Sequence, residues 1–347
     1  PGGAFGSCRF KLKDPIKQKK EYRRLFEVFN AHDIGFFFYN GGGDSQDTTY
    51  KISEMAKMLN FPLKCIGIPK TVDNDLPFTD CSPGFGSVAK YVATSTLEAG
   101  LDVKSMAETS TKVFILEVMG RHAGWIAAAS CLASNKKEDP PHIILLPEIP
   151  FEKRKFINKV KSAIKNNGYC VIVASEGTRT KDGKFLADSG LTDAFGHKQL
   201  GGVAPVLAEM ISKIGLKNHW AVADYLQRSA RHLASKTDLT QAYEVGVQAV
   251  KLALKGETGV MPIIKRLKDN PYKWTTSMVS LKDVANIEKT MPKKFITKDG
   301  FKITQAGRKY LSPLIRGEAD TVYVNGLPDI AILKNIKVKK KLNKVTF

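Results

Sequence analysis

The chain has 347 residues, which is enough for two domains of ordinary size. Hydrophobic residues make up 43% of it and charged residues 25%, which excludes a disordered chain, and no apolar run reaches the about 20 residues that a membrane-spanning helix needs. The formal net charge of +20 is compatible with binding nucleic acid or with attracting small anions. However, the lysine-rich runs contain few aromatic residues and no nucleic-acid-binding motif. We therefore interpret these runs as a solvated, lysine-rich surface.

The beginning of the chain predicts one βαβ unit with a glycine-rich turn. Short apolar runs predict buried strands, and the amphipathic stretches between them predict helices. The predicted order is a helix over 17–29, a strand over 34–39, the turn over 40–45, a helix over 47–59 and a strand over 63–68. This alternation is typical of α/β folds with parallel sheets.

The same alternation continues through the middle of the chain. We predict strands over 112–118, 142–146 and 170–174, a helix that begins near Ala123, and helices over 151–164, 199–214 and 239–254. Beyond Gly256 the pattern is irregular. No proline- or serine-rich linker separates two halves, so we expect two α/β lobes that are interwoven by chain crossings.

Unusual residues follow the predicted strands at four turns. These turns cover 41–45, 70–75, 119–121 and 176–178. Because ligands of open parallel sheets bind beyond the carboxyl ends of the strands, we expect the four turns to line one cleft.

The glycine-rich turn, Gly41-Gly42-Gly43-Asp44-Ser45, lies between a strand and a helix. Glycines let backbone N–H groups approach phosphate oxygens, and a helix N-terminus favours negative charge. Such a turn also serves as a plain tight corner, and it matches neither a Walker A motif nor a dinucleotide-binding fingerprint. Both interpretations stay open from these residues alone.

Two carboxylates and a lysine stand together in Lys70-Thr71-Val72-Asp73-Asn74-Asp75. Phosphoryl transfer needs an acceptor for the proton of the attacking hydroxyl, a divalent cation, and positive charge around the phosphoryl group. One aspartate as base, the other toward Mg²⁺, and the lysine on phosphate would supply all three. The alternative is a turn rich in aspartate and asparagine that caps the next element.

Arginines at three other turns are candidate phosphate ligands. Arg9 follows a glycine-rich segment, Arg121 follows a predicted strand, and Arg228 lies three residues after Tyr225. A guanidinium can hold a phosphate through two hydrogen bonds, although each of these arginines could equally lie at a helix start or on the surface.

The cysteines and histidines show no metal-binding spacing. The five cysteines are scattered without a C-x-x-C pair, and the six histidines form no cluster, which argues against a zinc site. No G-x-S-x-G motif of a serine hydrolase is present. We expect the cysteines to be reduced core residues and the protein to be cytoplasmic.

Taken together and in order, six segments resemble the phosphofructokinase family, and most closely its pyrophosphate-dependent branch. They are GGAFGSCR, GGGDS, PKTVDNDL, MGRHAGW, SEGT and YLQR, and the resemblance extends from Gly2 to near Lys334. It implies two Rossmann-like lobes with mainly parallel sheets. The donor lobe would comprise residues 1–90 and 227–300, and the sugar-phosphate lobe residues 91–226 and 301–347. We expect the family's first strand and its own phosphate loop to be missing before Gly2.

The resemblance also implies roles for individual residues. Asp73 would be the base that takes the proton from the C1 hydroxyl of fructose 6-phosphate, Asp75 would help to organise Mg²⁺, and Arg9 would steady the transferred phosphoryl group. The residues that would contact the sugar phosphate are Thr71, Met119, Gly120, Arg121, Glu176, His219, Tyr225 and Arg228. Lys112 matches a position that reaches the 6-phosphate of a neighbouring subunit, which implies a homodimer or homotetramer with shared sites.

Two positions carry the expectation for the phosphoryl donor. ATP-using relatives have glycine where this chain has Asp44 and Lys70. A carboxylate at Asp44 would repel the α-phosphate of a nucleotide, and Lys70 would neutralise charge on pyrophosphate as its bond breaks. Together with Gly41, Gly42 and Gly43 they form the expected pyrophosphate site, and Asp44 is a second candidate ligand of Mg²⁺.

Two departures from the family pattern leave alternatives open. Gly43 stands where the family usually has an aspartate or asparagine near the metal, and His219 stands where an arginine is common. A catalytically degenerate subunit that only binds is therefore one alternative, and an ATP-dependent 6-phosphofructokinase is another. The choice between fructose 6-phosphate and sedoheptulose 7-phosphate as acceptor also stays open.

Overall fold

The computed structural model describes residue 6 and residues 12–136, 138–192, 198–200 and 202–345. The helices of these residues are α1 Lys19–Ala31, α2 Gly43–Met58, α3 Phe85–Met106, α4 Trp125–Ala129, α5 Lys153–Asn167, α6 Val203–Ser212, α7 Leu226–Ser229, α8 Lys236–Leu254, α9 Leu281–Val284 and α10 Gln305–Leu311. The strands are β1 Phe36–Gly41, β2 Lys64–Pro69, β3 Val113–Val118, β4 Ile143–Leu145, β5 Cys170–Ser175, β6 Asp188–Thr192, β7 Lys198–Leu200, β8 Asn218–Val222, β9 Val260–Asp269, β10 Tyr272–Ser280, β11 Tyr323–Val324 and β12 Leu327–Pro328. None of these helices combines the length and apolar character needed to cross a membrane.

Two four-stranded sheets form the framework of the protein. The first has the order β1-β2-β9-β10, in which β1, β2 and β9 are parallel and β10 is antiparallel to β9. The second has the order β4-β5-β3-β8 and is parallel throughout. The chain builds β1 and β2, crosses to the second sheet, and returns to the first sheet for β9 and β10. The predicted α/β class with mainly parallel sheets is therefore confirmed.

The structure corrects the sequence prediction in four places. The helix predicted over 199–214 begins only at Val203, because residues 198–200 form β7 and pair with β6. The region beyond Gly256, which looked irregular, contains the long β9–β10 hairpin. Helix α3 and strand β8 were missed. The buried face of α3 includes small or polar residues such as Gly86 and Thr96, while Leu97 and Leu101 are exposed, so the sequence lacks a clear apolar stripe.

Helices α3 and α4 lie in a core that includes residues of both sheets. Its fully or nearly buried members include Phe85, Val88, Val92, Val118, Trp125, Val173, Ile264, Leu311 and Leu314. Because one continuous apolar cluster contacts both sheets, it fixes the turns at the ends of their strands relative to one another.

The four cysteines in the described part of the chain are thiols in the apolar interior. Cys65, Cys81, Cys131 and Cys170 are free and buried, and burial raises the pKa of each. The prediction of reduced core residues is confirmed for these four, and Cys8 lies outside the described residues.

Stability should fall in acid because of a buried histidine just before β4. His142 Nδ1 accepts a hydrogen bond from the Val171 N–H at 2.9 Å, and His142 Nε2 lies 3.2 Å from the Glu138 carbonyl oxygen, so the ring is held neutral. Burial lowers the pKa of His142 from 6.5 to about 4. Between these two pH values the unfolded chain is protonated and the folded chain is not. The free energy of unfolding should therefore decrease as the pH falls through this range, by about 3 kcal/mol in full.

Urea unfolding at about pH 7.5 and about pH 4.5 measures this loss. His142→Asn keeps an acceptor for the Val171 N–H but cannot be protonated, so we expect it to show a smaller loss. His232→Asn, at an exposed histidine, is the matched control and should behave as the unsubstituted protein does. An unchanged acid-dependent loss in His142→Asn would assign the effect to other groups.

Candidate active site

The two turns of the first sheet lie side by side. The Gly41 carbonyl oxygen accepts hydrogen bonds from the Lys70 N–H at 3.1 Å and from Gln46 Nε2 at 2.8 Å. A Cβ atom added at Gly42 would lie 3.7 Å from the Thr71 Cβ. The glycine-rich turn and the turn after β2 therefore form one continuous surface.

The start of α2 gives this surface an electropositive edge. Gly43 is the first residue of α2, and Asp44 lies in its first turn, partly buried. A Cβ atom at Gly41 would come within 2.0 Å of Ser45 Oγ, so the corner requires glycine there. Lys70, whose N–H bonds to the Gly41 carbonyl oxygen, adds an exposed cation near the same turn. Backbone N–H groups and a lysine suit a phosphate-containing ligand.

Asp73 lies where the turns of both sheets meet. Its N–H donates to Thr71 Oγ1 at 3.1 Å, and the same hydroxyl lies 3.5 Å from Asp73 Oδ2. Although the residue is partly exposed, desolvation raises the pKa of Asp73 to about 7. The carboxylates of Asp75 and Glu176 add to this rise in pKa, and Arg121 opposes it. A carboxylate with a pKa near neutrality is suited to accept a proton at physiological pH.

Asp75 is the residue that best fits a metal. Its Oδ1 atom is buried and has no hydrogen-bond partner in the described part of the chain. Within the same described residues, no group of three or more histidine, cysteine or acidic side chains is arranged to hold a metal ion. Mg²⁺ commonly binds one or two protein carboxylates and takes its other ligands from water and substrate phosphates. The donor set around Asp75 and Asp73 fits such an ion.

The two turns of the second sheet are packed against each other. The Gly120 N–H lies 3.4 Å from Glu176 Oε1, and Ser175 Oγ donates to the Gly120 carbonyl oxygen at 2.5 Å. A Cβ atom at Gly177 would lie 2.1 Å from the Arg121 carbonyl oxygen. These close contacts hold the turns of Glu176 and Arg121 together, and both side chains are near enough to Asp73 to influence its pKa.

A fifth segment, just before and within α7, joins the same side of the cleft. The Met119 N–H lies 3.3 Å from Oε1 of the buried Gln227. The Arg228 guanidinium lies 4.0 Å from the centre of the Tyr225 ring, and that ring is 59% exposed. Arg121 Nε is buried without a hydrogen-bond partner among the described residues. Arg121 and Arg228 thus offer cationic groups at the end of the second sheet.

Not all predicted site residues lie in this cleft. Lys112 precedes β3, and its Nζ donates to the Ala107 carbonyl oxygen at 2.6 Å. His219 is paired with Phe114 at the start of β3. Both are thus at the opposite end of a strand about 20 Å long from the turn at Met119. Arg9 lies outside the described residues.

A polar network that no sequence motif predicts packs against residues 70–75, the turn that carries Asp73 and is called the base turn. Arg266 Nε pairs with Asp80 Oδ2 at 2.9 Å, and its guanidinium lies 4.5 Å from the Tyr310 ring and 4.8 Å from the Tyr272 ring. Lys289 is part of the same network, and desolvation lowers its pKa to about 8. These residues belong to no motif and are distant in sequence, so only the fold brings them together.

The comparisons with known proteins all identify phosphofructokinases as similar to this chain. The family model described as Phosphofructokinase matches residues 1–253. The chain is 62% identical over 343 residues to the pyrophosphate–fructose 6-phosphate 1-phosphotransferase of Halomonas elongata, which covers 99% of this chain and 82% of that protein. Its identity to the protein of the same name from Methylococcus capsulatus is 58%, with the same two shares. The crystal structure of the pyrophosphate-dependent phosphofructokinase from Marinobacter aquaeolei is similar with a TM-score of 0.89 at 58% identity, covering 99% of this chain and 81% of that one.

Proposed function

Because this chain belongs to the phosphofructokinase family, we propose that it transfers a phosphoryl group from pyrophosphate to the C1 hydroxyl of fructose 6-phosphate. The products are fructose 1,6-bisphosphate and phosphate. The observation that carries the proposal is the position of Asp73, a carboxylate with a pKa of about 7 between the turns of the two sheets. The names of the Halomonas elongata and Methylococcus capsulatus relatives support the same donor and acceptor.

The donor and the acceptor bind on opposite sides of Asp73 in this proposal. Residues 1–90 and 227–300 form the donor lobe, and residues 91–226 and 301–347 form the sugar-phosphate lobe. The strands of the first sheet fall in the former ranges and those of the second sheet in the latter. Pyrophosphate lies against Gly41, Gly42, Gly43, Asp44 and Lys70. The sugar phosphate contacts Thr71, Met119, Gly120, Arg121, Glu176, Tyr225 and Arg228.

Asp73 accepts the proton of the C1 hydroxyl as that oxygen attacks the nearer phosphorus of pyrophosphate. A new P–O bond forms, the bridging P–O bond breaks, and inorganic phosphate leaves. The Thr71 hydroxyl holds the Asp73 carboxylate in its orientation. Lys70 and Arg9 stabilise the charge on the transferred and leaving groups, since cations near a developing negative charge lower the barrier.

Enzymes of this family generally use a divalent metal, and here we propose Mg²⁺. Asp75 would hold it, with Asp44 as a second candidate ligand on the donor side. When bound, the ion supplies positive charge that neutralises the phosphate oxygens. The buried and unpaired Asp75 Oδ1 supports this assignment.

The proposal includes sites shared between subunits of a homodimer or homotetramer. Lys112 and His219 lie about one strand length from their own cleft, so they could reach a sugar phosphate only in a neighbouring subunit. We also propose a cytoplasmic location, which the four free, buried thiols support.

A donor-by-acceptor activity matrix tests the function. Pyrophosphate and ATP are each combined with fructose 6-phosphate and sedoheptulose 7-phosphate, and bisphosphate formation is measured. We expect turnover with pyrophosphate and fructose 6-phosphate, and none with ATP at about millimolar concentration. Equal turnover with ATP would favour the ATP-dependent alternative, and no turnover with any pair would favour a subunit that only binds.

Gly177→Ala should weaken sugar-phosphate binding. The added methyl group would overlap the Arg121 carbonyl oxygen at 2.1 Å and push the two second-sheet turns apart. We expect KM for fructose 6-phosphate to rise about tenfold or more, with KM for pyrophosphate nearly unchanged. Gly246→Ala is the control, because nothing lies within 4 Å of the added methyl group. Steady-state kinetics with each substrate varied in turn measures both constants, and equal increases in the two would contradict a local effect.

A further inference from the structure

A two-residue segment between α9 and α10 contacts both sides of the active site. The Glu288 carboxylate lies 2.7 Å from His122 Nδ1, in the turn that follows β3. The Lys289 N–H donates to the Asp75 carbonyl oxygen at 2.6 Å, and the Lys289 carbonyl oxygen accepts from Trp125 Nε1 at 3.0 Å. The backbone of Lys289 therefore links the base turn to the start of α4.

Among the residues that the structure describes, the Lys289 ammonium bonds to the loop that carries Asp73. Its Nζ lies 3.3 Å from Asn74 Oδ1, 3.0 Å from the Thr79 carbonyl oxygen and 3.0 Å from the Asp80 carbonyl oxygen. An ammonium has three N–H donors, so these three acceptors satisfy it. The group also lies 5.5 Å from the centre of the Trp125 ring. The Lys289 ammonium therefore holds the two ends of the loop, Asn74 at one end and Thr79 and Asp80 at the other, close to one another.

Asn74 is the residue on which these contacts converge. It lies between Asp73 and Asp75, is fully buried, and has a φ of +55°. Its Nδ2 donates to Tyr310 Oη at 3.1 Å, and its Oδ1 accepts from the Ser82 N–H at 3.0 Å. A left-handed backbone is less favourable for a residue with a side chain than the right-handed one, so these bonds stabilise a turn that would otherwise relax. Such relaxation would redirect both flanking carboxylates.

We propose that Lys289 and Tyr310 are positioning residues for the phosphoryl transfer: by holding the Asn74 side chain, they fix the left-handed turn that directs the Asp73 carboxylate toward the sugar hydroxyl. Neither side chain is placed on a substrate: both bond to Asn74, and both also bond to the Asp80 carbonyl oxygen in the same loop. The inference rests on the proposed role of Asp73 as the base. Displacement of a reacting group by about 1 Å can reduce a rate about 100-fold. Loss of either anchor of Asn74, the Lys289 ammonium or the Tyr310 hydroxyl, should therefore lower kcat.

Two substitutions remove the anchors and leave their surroundings in place. Lys289→Met keeps an unbranched side chain but removes the ammonium. Tyr310→Phe removes only the hydroxyl and keeps the ring, which stacks on Phe295 and lies against Arg266. If Lys289→Met does not fold, kcat per site of Tyr310→Phe alone tests the positioning role.

Each variant has a matched control outside the active site. Lys90→Met removes a lysine whose Nζ bonds to the Gly317 carbonyl oxygen at 3.1 Å and to Glu318 at 2.6 Å. Tyr22→Phe removes the hydroxyl of a buried tyrosine in α1 that donates to the Lys13 carbonyl oxygen at 2.9 Å, away from this network. Both controls lose comparable bonds, so they measure what a purely structural loss does.

The measurement is kcat per fructose 6-phosphate binding site, with sites counted by calorimetric titration. We expect kcat per site to fall about 10- to 100-fold in Lys289→Met and Tyr310→Phe, with Kd for fructose 6-phosphate within about threefold of the unsubstituted protein. In the two controls kcat per site should not change. A purely structural role would remove sites and turnover in proportion, and an unchanged kcat per site in the anchor variants would overturn the proposal.

The two hypotheses fail in different ways. If the unsubstituted protein transfers no phosphoryl group from pyrophosphate to fructose 6-phosphate, the proposed function is wrong. If the unsubstituted protein is active and the anchor variants keep its kcat per site, the function stands and only the positioning role is wrong.

Discussion

Asp73→Asn is expected to reduce kcat about 10²- to 10⁴-fold, the range by which a positioned general base accelerates a reaction. An amide cannot accept the proton of the sugar hydroxyl. The same substitution should leave the protein at least as stable as before at neutral pH. Desolvation and the carboxylates of Asp75 and Glu176 raise the pKa of Asp73 to about 7, which shows that the charged form is disfavoured in the fold. An uncharged group of the same shape removes that penalty.

Steady-state kinetics and thermal unfolding of the same sample separate the two effects. Asp182→Asn, at an exposed carboxylate in the turn after Arg179, is the control and should change neither quantity. Full turnover in Asp73→Asn would show that another group takes the proton. A large loss of stability together with the loss of turnover would instead point to a structural defect.

Asp44→Gly combined with Lys70→Gly should weaken the use of pyrophosphate more than the binding of the sugar phosphate. Lys70 is an exposed cation near the glycine-rich turn before α2, and Asp44 lies in the first turn of that helix. Loss of a charge-assisted contact to phosphate typically costs about 1.5–3 kcal/mol, so kcat/KM for pyrophosphate should fall about 10- to 100-fold. Kd for fructose 6-phosphate should change less than about threefold, because the second-sheet turns are untouched.

The control for this double variant removes a similar pair of charges elsewhere. Asp182→Gly combined with Lys184→Gly deletes a surface ion pair with a separation of 3.3 Å and should leave both constants unchanged. Initial rates measured with pyrophosphate, and then with ATP, as the varied donor give kcat/KM for each donor. Unchanged pyrophosphate kinetics in the Asp44 and Lys70 double variant would remove the physical basis for the choice of donor.

Local sequence was sufficient to predict the turns but not what surrounds them. Apolar runs that end in Gly41-Gly42 or in Lys70-Thr71 identify the ends of parallel strands, and the structure brings these turns together. The pKa of Asp73, by contrast, depends on Glu176 and Arg121, which no spacing rule connects to it. The support of Asn74 by Lys289 joins residues 215 positions apart. Contacts of this kind follow from the packing of the two sheets.

The same limit explains the errors in secondary structure. Helix α3 carries small or polar residues on its buried face and exposed leucines outside that face, so its apolar pattern does not identify it as a helix. Residues 198–200 continue a pattern that suits a helix, but pairing with β6 makes them a strand. The apolar pattern predicted the correct element where it is regular and failed where tertiary contacts decide.

The return of the chain to the first sheet has a consequence for how the enzyme is made. Asn74 obtains one side-chain partner 215 positions later, at Lys289, and another 236 positions later, at Tyr310. During synthesis, therefore, the base turn leaves the ribosome long before either anchor exists. A chain that stops short of residue 289 therefore lacks both side-chain anchors of Asn74, and the base turn gains its full support only once residue 310 has been added.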